Sequence, residues 1–105
     1  MIDIKFYRNE NNHRYAISAL GHAGSGPHGQ DIVCAAVSTL LQSLGNYIES
    51  NQIENNWHLL EQRYDEGNIN VEAYACDESL HFVFDMVFES LEDLADMYPN
   101  FLKII

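Results

Sequence analysis

Two long stretches of helical apolar spacing constrain the fold of this chain most strongly, because each follows a pair of strand-like segments. The first begins after Asp31, a predicted N-cap, and extends to about Asn51. The second follows Asp77-Glu78-Ser79, extends to about Tyr98 and is ended by Pro99. A helix with one apolar stripe buries it against another layer of secondary structure. The pattern therefore predicts two helices packed on a sheet.

The strand-like segments form two predicted hairpins, in which apolar and polar residues alternate on either side of a polar turn. A polar linker, residues 51–56, precedes the second hairpin, and a short strand is predicted at the end of the chain. The predicted order is ββαββαβ, an α+β fold with a single mixed sheet and two helices. The predicted strands are Ile2 to Arg8, Arg14 to Gly21, Trp57 to Tyr64, Asn68 to Tyr74 and Phe101 to Ile105.

Length and composition favour one cytoplasmic domain. The 105 residues fit a single domain, 1–105, and 47% hydrophobic residues are enough for a packed core. The N-terminus lacks the layout of a signal peptide, and no apolar run approaches the roughly 20 residues of a membrane span. With Cys34 and Cys76 as its two cysteines, the chain is not expected to be a disulfide scaffold. We expect reduced thiols and no membrane partner.

The charge balance points to a class of partner. Sixteen acidic residues against five Lys and Arg give a net charge of −11. Such a surface repels nucleic acid and anionic lipid, and it attracts a basic protein. Solubility alone would also account for the acidity. The charge therefore argues against direct nucleic-acid binding and is compatible with a basic protein partner.

Cys34 and His22 are the candidate catalytic pair. Cys34 falls in the first turn of the predicted helix, where the helix dipole and backbone N–H groups favour a thiolate and lower the pKa of the thiol. His22 follows the second predicted strand between two small residues, which leaves room for another group beside its ring. A histidine next to a cysteine acts as general base and then as general acid. The pair predicts a cysteine hydrolase, in which the Cys34 N–H is among the expected oxyanion donors.

Asp31 and Ser38 are predicted to support this pair. Asp31 either caps the helix or orients the His22 ring as a third catalytic residue, and the residues alone leave both roles open. Ser38 lies one helical turn after Cys34 and is expected to face it. A helical serine can instead donate a hydrogen bond to a backbone carbonyl of its own helix.

The loop between His22 and Cys34 contains three glycines: Gly24, Gly26 and Gly29. Residues 24–29 match the letters of a dinucleotide-binding motif. The context argues against that function, because a hairpin precedes the loop where a βαβ unit is required. We expect instead a loop that opens for substrate and closes over it, with hinges at the glycines.

Metal binding is the alternative for the same histidines and cysteine. The spacings of His13, His22, His28 and Cys34 match no structural zinc pattern, so no metal and no cofactor are expected. Cys76 is followed by two carboxylates, which disfavour its thiolate and make it the less reactive thiol.

The two motifs resemble the bacterial ribosomal-processing cysteine protease family, Prp, and the resemblance extends over nearly the whole chain. Cys34 matches the nucleophile of that family, His22 its histidine partner and Asp31 an adjacent acidic position. In the loop, Ser25-Gly26-Pro27-His28 replaces bulkier residues. The motifs are Gly21-His22-Ala23-Gly24 and Gln30-Asp31-Ile32-Val33-Cys34-Ala35-Ala36-Val37-Ser38.

The resemblance implies a function and a partner. It implies an endopeptidase that removes the N-terminal extension of large-subunit ribosomal protein twenty-seven, a homodimeric state, and a mobile loop between histidine and cysteine. The alternative is a non-catalytic acidic binding module or chaperone for a basic ribosomal protein, in which Cys34 only packs.

Overall fold

The computed structural model describes residues 1–27 and 31–105, and its elements follow the predicted order ββαββαβ. His28, Gly29 and Gln30 lie outside the described residues, and with them the predicted hinge at Gly29. The strands are β1 (Ile2–Asn9), β2 (Arg14–Gly21), β3 (Trp57–Asp65), β4 (Asn68–Ala75) and β5 (Leu102–Ile104). The helices are α1 (Ile32–Ser50), α2 (Gln52–Asn55) and α3 (Ser79–Met97).

The described strands form one mixed sheet in the order β3-β4-β2-β1-β5, which confirms the predicted fold class. β1 pairs with β5 in parallel, and the other neighbours are antiparallel. The second hairpin therefore adds to the free edge of β2, with Leu20 opposite Asn68. This pairing brings the end of β2 and the turn between β3 and β4 to the same end of the sheet.

The two long helices cover one face of the sheet and enclose the core. α1 packs on β3 and β4, α3 packs on β2, β4 and β5, and the two helices contact each other. Because side chains alternate along a strand, one set of strand residues faces the helices and the other lies on the open face. The largest fully buried side chains are Tyr15, Phe84, Ile4, Ile17, Leu41, Leu44, Ile48, Leu80, Leu91 and Leu102.

One short helix was not predicted. The linker 51–56 contains α2, a single turn followed by the C-cap Asn56, which lies in the left-handed region with a φ of 55°. Gln52 ties this turn to the sheet, since its side-chain oxygen accepts a hydrogen bond from the Leu59 amide at 2.8 Å. The polar composition of this segment reflects its place at the surface, where a short helix needs no apolar stripe. None of the helices described in residues 1–27 and 31–105 is long and apolar enough to span a bilayer.

Candidate active site

A groove of about 560 Å³ lies where the end of β2, the start of α1 and the β3–β4 turn meet. The sheet pairing forms this end of the molecule, where the Gly21 amide donates to the Gly67 carbonyl at 2.9 Å. Of the residues predicted from sequence, six line this groove: His22, Gly24, Gly26, Asp31, Cys34 and Ser38. The structure thus brings the predicted site residues together, apart from Gly29, which lies outside the described residues.

Cys34 is half-buried at the edge of the α1 apolar stripe and packs against the core. Its sulfur accepts a hydrogen bond from the Ala23 amide at 3.4 Å. Burial raises the pKa of the Cys34 thiol, the Ala23 amide acts in the opposite direction, and a hydrogen bond to the Asp31 carboxylate adds to the rise. The prediction of a lowered thiol pKa is therefore wrong for the free protein, because burial of the sulfur and the neighbouring Asp31 carboxylate raise this pKa.

Asp31 caps α1, which was one of its two predicted roles. Its Oδ1 accepts hydrogen bonds from the amides of Val33 and Cys34, both at 3.0 Å. Ser25 adds two more, from its amide to Oδ2 at 3.1 Å and from its hydroxyl to Oδ1. Burial alone would raise the pKa of Asp31, but the hydrogen bonds from Ser25 and Cys34 outweigh it and hold this pKa well below the usual range. Asp31 is therefore ionised and engaged at the helix start.

The same capping bond changes the expected oxyanion site. The Cys34 amide already donates to Asp31 Oδ1, and the Ala35 amide donates to the Asp31 carbonyl at 3.1 Å. An amide that has an acceptor cannot also donate fully to a developing oxyanion. In the free protein the predicted donor at Cys34 is thus occupied.

The His22 ring lies against the β3–β4 turn. Its side chain is exposed, and its Nε2 would be 2.8 Å from a Cβ atom placed on Gly67. Gly67 has a φ of 72°, a conformation that favours glycine, so this position accommodates both the turn and the ring. The His22 carbonyl accepts a hydrogen bond from the Met1 α-amino group. Across the described residues, no hydrogen bond joins the His22 ring to Asp31 or Cys34.

Sequence reasoning missed one wall of the groove and one contact beside it. The wall is formed by the end of β3 and the β3–β4 turn, and it includes Tyr64, Glu66 and Gly67. No local pattern could reveal it, because these residues reach His22 only through the pairing of β2 with β4. The missed contact is that of Ser25 with Asp31, because a serine six residues before the N-cap carries no known capping signal.

Cys76 lies away from the groove, just beyond the far end of β4. It is exposed, and its sulfur accepts a hydrogen bond from the Asn56 side chain at 3.3 Å. Both cysteines carry free thiols. Among the residues that the structure describes, no three His, Cys, Asp or Glu side chains cluster in a way that could hold a metal ion.

Comparison with known proteins identifies the family. The family model described as "Cysteine protease Prp" matches residues 1–103. A crystal structure described as an essential ribosomal processing protease Prp from S. aureus, with a covalently linked product peptide, matches with a TM-score of 0.81 and 21% identity. The match covers 99% of this chain and 97% of that chain. A second S. aureus Prp structure, with a substrate peptide, has a TM-score of 0.77 and 20% identity over 100% of this chain and 98% of that chain.

A third solved structure, SMU.848 from Streptococcus mutans, has a TM-score of 0.68 and 27% identity. That match covers 99% of this chain and 91% of the other. A search of curated proteins finds no match. The family match extends over almost the whole chain and confirms a cysteine protease over a non-catalytic binding module. The chain belongs to the Prp family of cysteine proteases.

Proposed function

We propose that this protein is an endopeptidase that removes the N-terminal extension of large-subunit ribosomal protein twenty-seven. The observation that carries the proposal is the groove that Cys34 and His22 both line. The two S. aureus relatives, described as ribosomal processing proteases bound to substrate or product peptide, support this class of substrate. The net charge of −11 suits a basic ribosomal protein as the partner.

Cys34 is the proposed nucleophile and His22 its proton acceptor. His22 takes the proton from the Cys34 sulfur, and the sulfur electron pair then attacks the carbonyl carbon of the scissile peptide bond. The carbonyl π electrons move to oxygen and form an oxyanion. When the oxyanion collapses, the C–N bond breaks and the His22 imidazolium donates its proton to the leaving amine. The N-terminal fragment stays on Cys34 as a thioester.

A second half-reaction regenerates the enzyme. His22 takes a proton from water, and the resulting hydroxide attacks the thioester carbonyl. The C–S bond breaks, the fragment leaves as a carboxylic acid, and the proton returns to the Cys34 sulfur. Peptide binding is proposed to bring the Cys34 sulfur and the His22 ring into hydrogen-bond distance while the ring keeps its place against the Gly67 turn.

We also propose a compartment, an oligomeric state and a partner for the reaction. We place this reaction in the cytoplasm, in a homodimer of single-domain chains, with the protein extension as partner and no contact with nucleic acid. The resemblance to the Prp family and the acidic net charge support these features. The segment that begins at Gly24 is the proposed substrate-gating loop, and Ser38 is proposed to support Cys34 from the next turn of α1.

Cleavage of the ribosomal protein tests the proposal. The purified enzyme is incubated with full-length ribosomal protein twenty-seven, and the products are identified by mass spectrometry. We expect one cut that releases the extension, no cut with Cys34→Ala or His22→Ala, and normal cutting with the control Cys76→Ser. The double variant should be no worse than either single one, because nucleophile and base act as a unit. Cleavage by Cys34→Ala at the wild-type rate would overturn the assignment.

A further inference from the structure

Ser25 makes two contacts to the carboxylate beside Cys34. Its amide donates to Oδ2 of Asp31 at 3.1 Å, and its hydroxyl donates to Oδ1 of the same residue. The Oδ1 atom also accepts the Val33 and Cys34 amides at the start of α1. Backbone amides and the serine hydroxyl donate four hydrogen bonds to this carboxylate, and Ser25 supplies two of them.

We propose that Ser25 is a positioning residue for Cys34: by donating to both oxygens of Asp31, it holds the carboxylate at the helix start and weakens it as an acceptor for the Cys34 thiol. The catalytic meaning of this role rests on the proposed function. The chemistry itself concerns only the thiol, so it can be measured without a peptide substrate.

The physical reason is competition for one carboxylate. A hydrogen-bond donor to an ionised carboxylate stabilises its negative charge, so the carboxylate binds its other donors less strongly. The effect is large because hydrogen bonds to charged groups are stronger than those between neutral groups. Without the Ser25 hydroxyl, Oδ1 loses a donor and becomes a stronger acceptor for the Cys34 S–H. The thiol is then held more firmly in its protonated form.

Other groups also face Cys34 across the groove, and their effects must be constant in the test. Among the described residues, the charged and titratable groups that line the groove or act on the Cys34 thiol are the Met1 α-amino group, His22, Asp31, Tyr64, Asp65 and Glu66. A substitution at Ser25 leaves all of them in the chain, so a change in thiol reactivity reports on the Ser25 contact to Asp31.

The test measures how fast iodoacetamide alkylates Cys34 as pH is varied, with mass spectrometry separating the Cys34 and Cys76 peptides. With Ser25→Ala, we expect the rate at neutral pH to fall about threefold and the midpoint of the pH profile to rise, as expected for one charged hydrogen bond partly transmitted to the thiol. Ser25→Thr retains the hydroxyl and should retain the wild-type midpoint. Ser90→Ala is the matched control, because that hydroxyl donates to the Met86 carbonyl on α3 at 3.0 Å.

A double-mutant cycle shows whether Ser25 acts through Asp31. Asp31→Asn removes the charge but keeps an acceptor for the cap, and in this background Ser25→Ala should leave the midpoint unchanged. A profile for Ser25→Ala that overlays the wild type would overturn the inference. So would a shift of equal size in the Asp31→Asn background. If the wild type cleaves no ribosomal protein, the proposed function fails, while the alkylation profiles still decide the role of Ser25.

Discussion

At Cys34, the start of a helix and a buried environment act on the same sulfur in opposite directions. The helix dipole favours a thiolate, whereas burial and the Asp31 carboxylate raise the pKa of the thiol above its usual value. The free protein therefore holds Cys34 as a thiol. In our account the reactive thiolate forms when the peptide and His22 change this environment, which limits side reactions of the unoccupied enzyme.

The cap formed by Asp31 predicts a pH-dependent contribution to stability. Asp31→Ala should lower the free energy of unfolding at pH 7 by about 1 kcal/mol, since two helix amides lose their acceptor. The folded pKa of Asp31 lies below the ordinary 3.8, so its contribution is complete above that value and is lost as pH falls through the folded pKa.

Urea unfolding at pH 7 and pH 3 measures this contribution. The difference in the free energy of unfolding between wild type and Asp31→Ala should be smaller at pH 3 than at pH 7. Asp96→Ala serves as control, because a carboxylate near the C-terminal end of α3 caps no helix start and its loss should cost nothing. A difference in the free energy of unfolding that is equal or larger at pH 3 would contradict the prediction.

The contact of the His22 ring with Gly67 predicts a loss of activity on a small substitution. In Gly67→Ala the new Cβ would lie 2.8 Å from His22 Nε2, so the ring must move. A displacement of about 1 Å in a catalytic group lowers kcat/KM by roughly ten- to a hundredfold. The measurement is the rate of peptide cleavage, compared with the melting temperature.

Backbone strain at Gly67 needs its own control, because an alanine at positive φ is also unfavourable. Asn56→Ala introduces alanine at a φ of 55°, outside the groove. It should lower stability by a similar amount and leave kcat/KM unchanged. Equal kcat/KM for Gly67→Ala and Asn56→Ala would show that Gly67 does not position His22.

At the scale of elements, the segment that begins at Gly24 predicts a gate. Gly24 has a φ of 73°, and a Cβ added there would meet no atom of the described residues within 4 Å. Gly24→Ala therefore adds strain of about 1–2 kcal/mol but no collision. We expect kcat/KM to fall by roughly fivefold, because strain redistributes the loop conformations. The melting temperature should fall less than this strain would imply, because the loop contributes little to the core and can relax locally. Cleavage assays and thermal unfolding measure the two effects.

Hydrogen exchange on the amides of Ser25 and Gly26 tests the gate directly. A bound peptide should increase their protection from exchange in the inactive Cys34→Ala variant. The amides of β2, such as Ile17, provide the reference, since they belong to a central strand and should not change. Equal, strong protection with and without peptide would mean that this segment is a fixed wall.

The elements themselves were predictable because their ends carry strong local signals. β2 spans the predicted residues Arg14–Gly21, and α1 starts after the Asp31 cap as expected. α3 ends at Met97, just before Tyr98 and Pro99. Alternation, caps and breakers act over a few residues, so they can be recognised in one sequence.

The order of the strands in the sheet was not predictable, and therefore the wall of the groove was not predictable either. Pairing of β2 with β4 depends on packing across the whole sheet, and only this pairing brings Gly67 to His22. The protonation of Cys34 was missed for the same reason. Burial of its sulfur follows from tertiary packing, whereas helix position alone suggests a thiolate.

At the scale of the whole molecule, charge is distributed unevenly over the two faces. Lys5, Arg14 and Lys103 each adjoin a buried strand residue and therefore lie on the open face of the sheet. α3 has no Lys or Arg but carries five carboxylates: Asp85, Glu89, Glu92, Asp93 and Asp96. The helical face is thus the strongly acidic side, which should attract a basic protein.

This distribution predicts salt-dependent association with the ribosomal protein. For the inactive Cys34→Ala variant, the association rate should fall about tenfold as ionic strength rises from about 0.05 M to about 0.5 M. A variant with Glu89→Gln, Glu92→Gln and Asp93→Asn should show a weaker dependence on salt. Stopped-flow measurements across a salt series would exclude electrostatic steering if the rates stayed constant.

The central claim, that the Cys34 sulfur attacks the peptide bond, is tested most directly by trapping the thioester. The enzyme is mixed with the ribosomal protein, quenched in acid during turnover, and its intact mass and peptides are measured. We predict a transient adduct on Cys34 equal to the released N-terminal fragment minus one water, and none on Cys76. Cleavage at the wild-type rate by Cys34→Ala, or an adduct on another residue, would contradict the account.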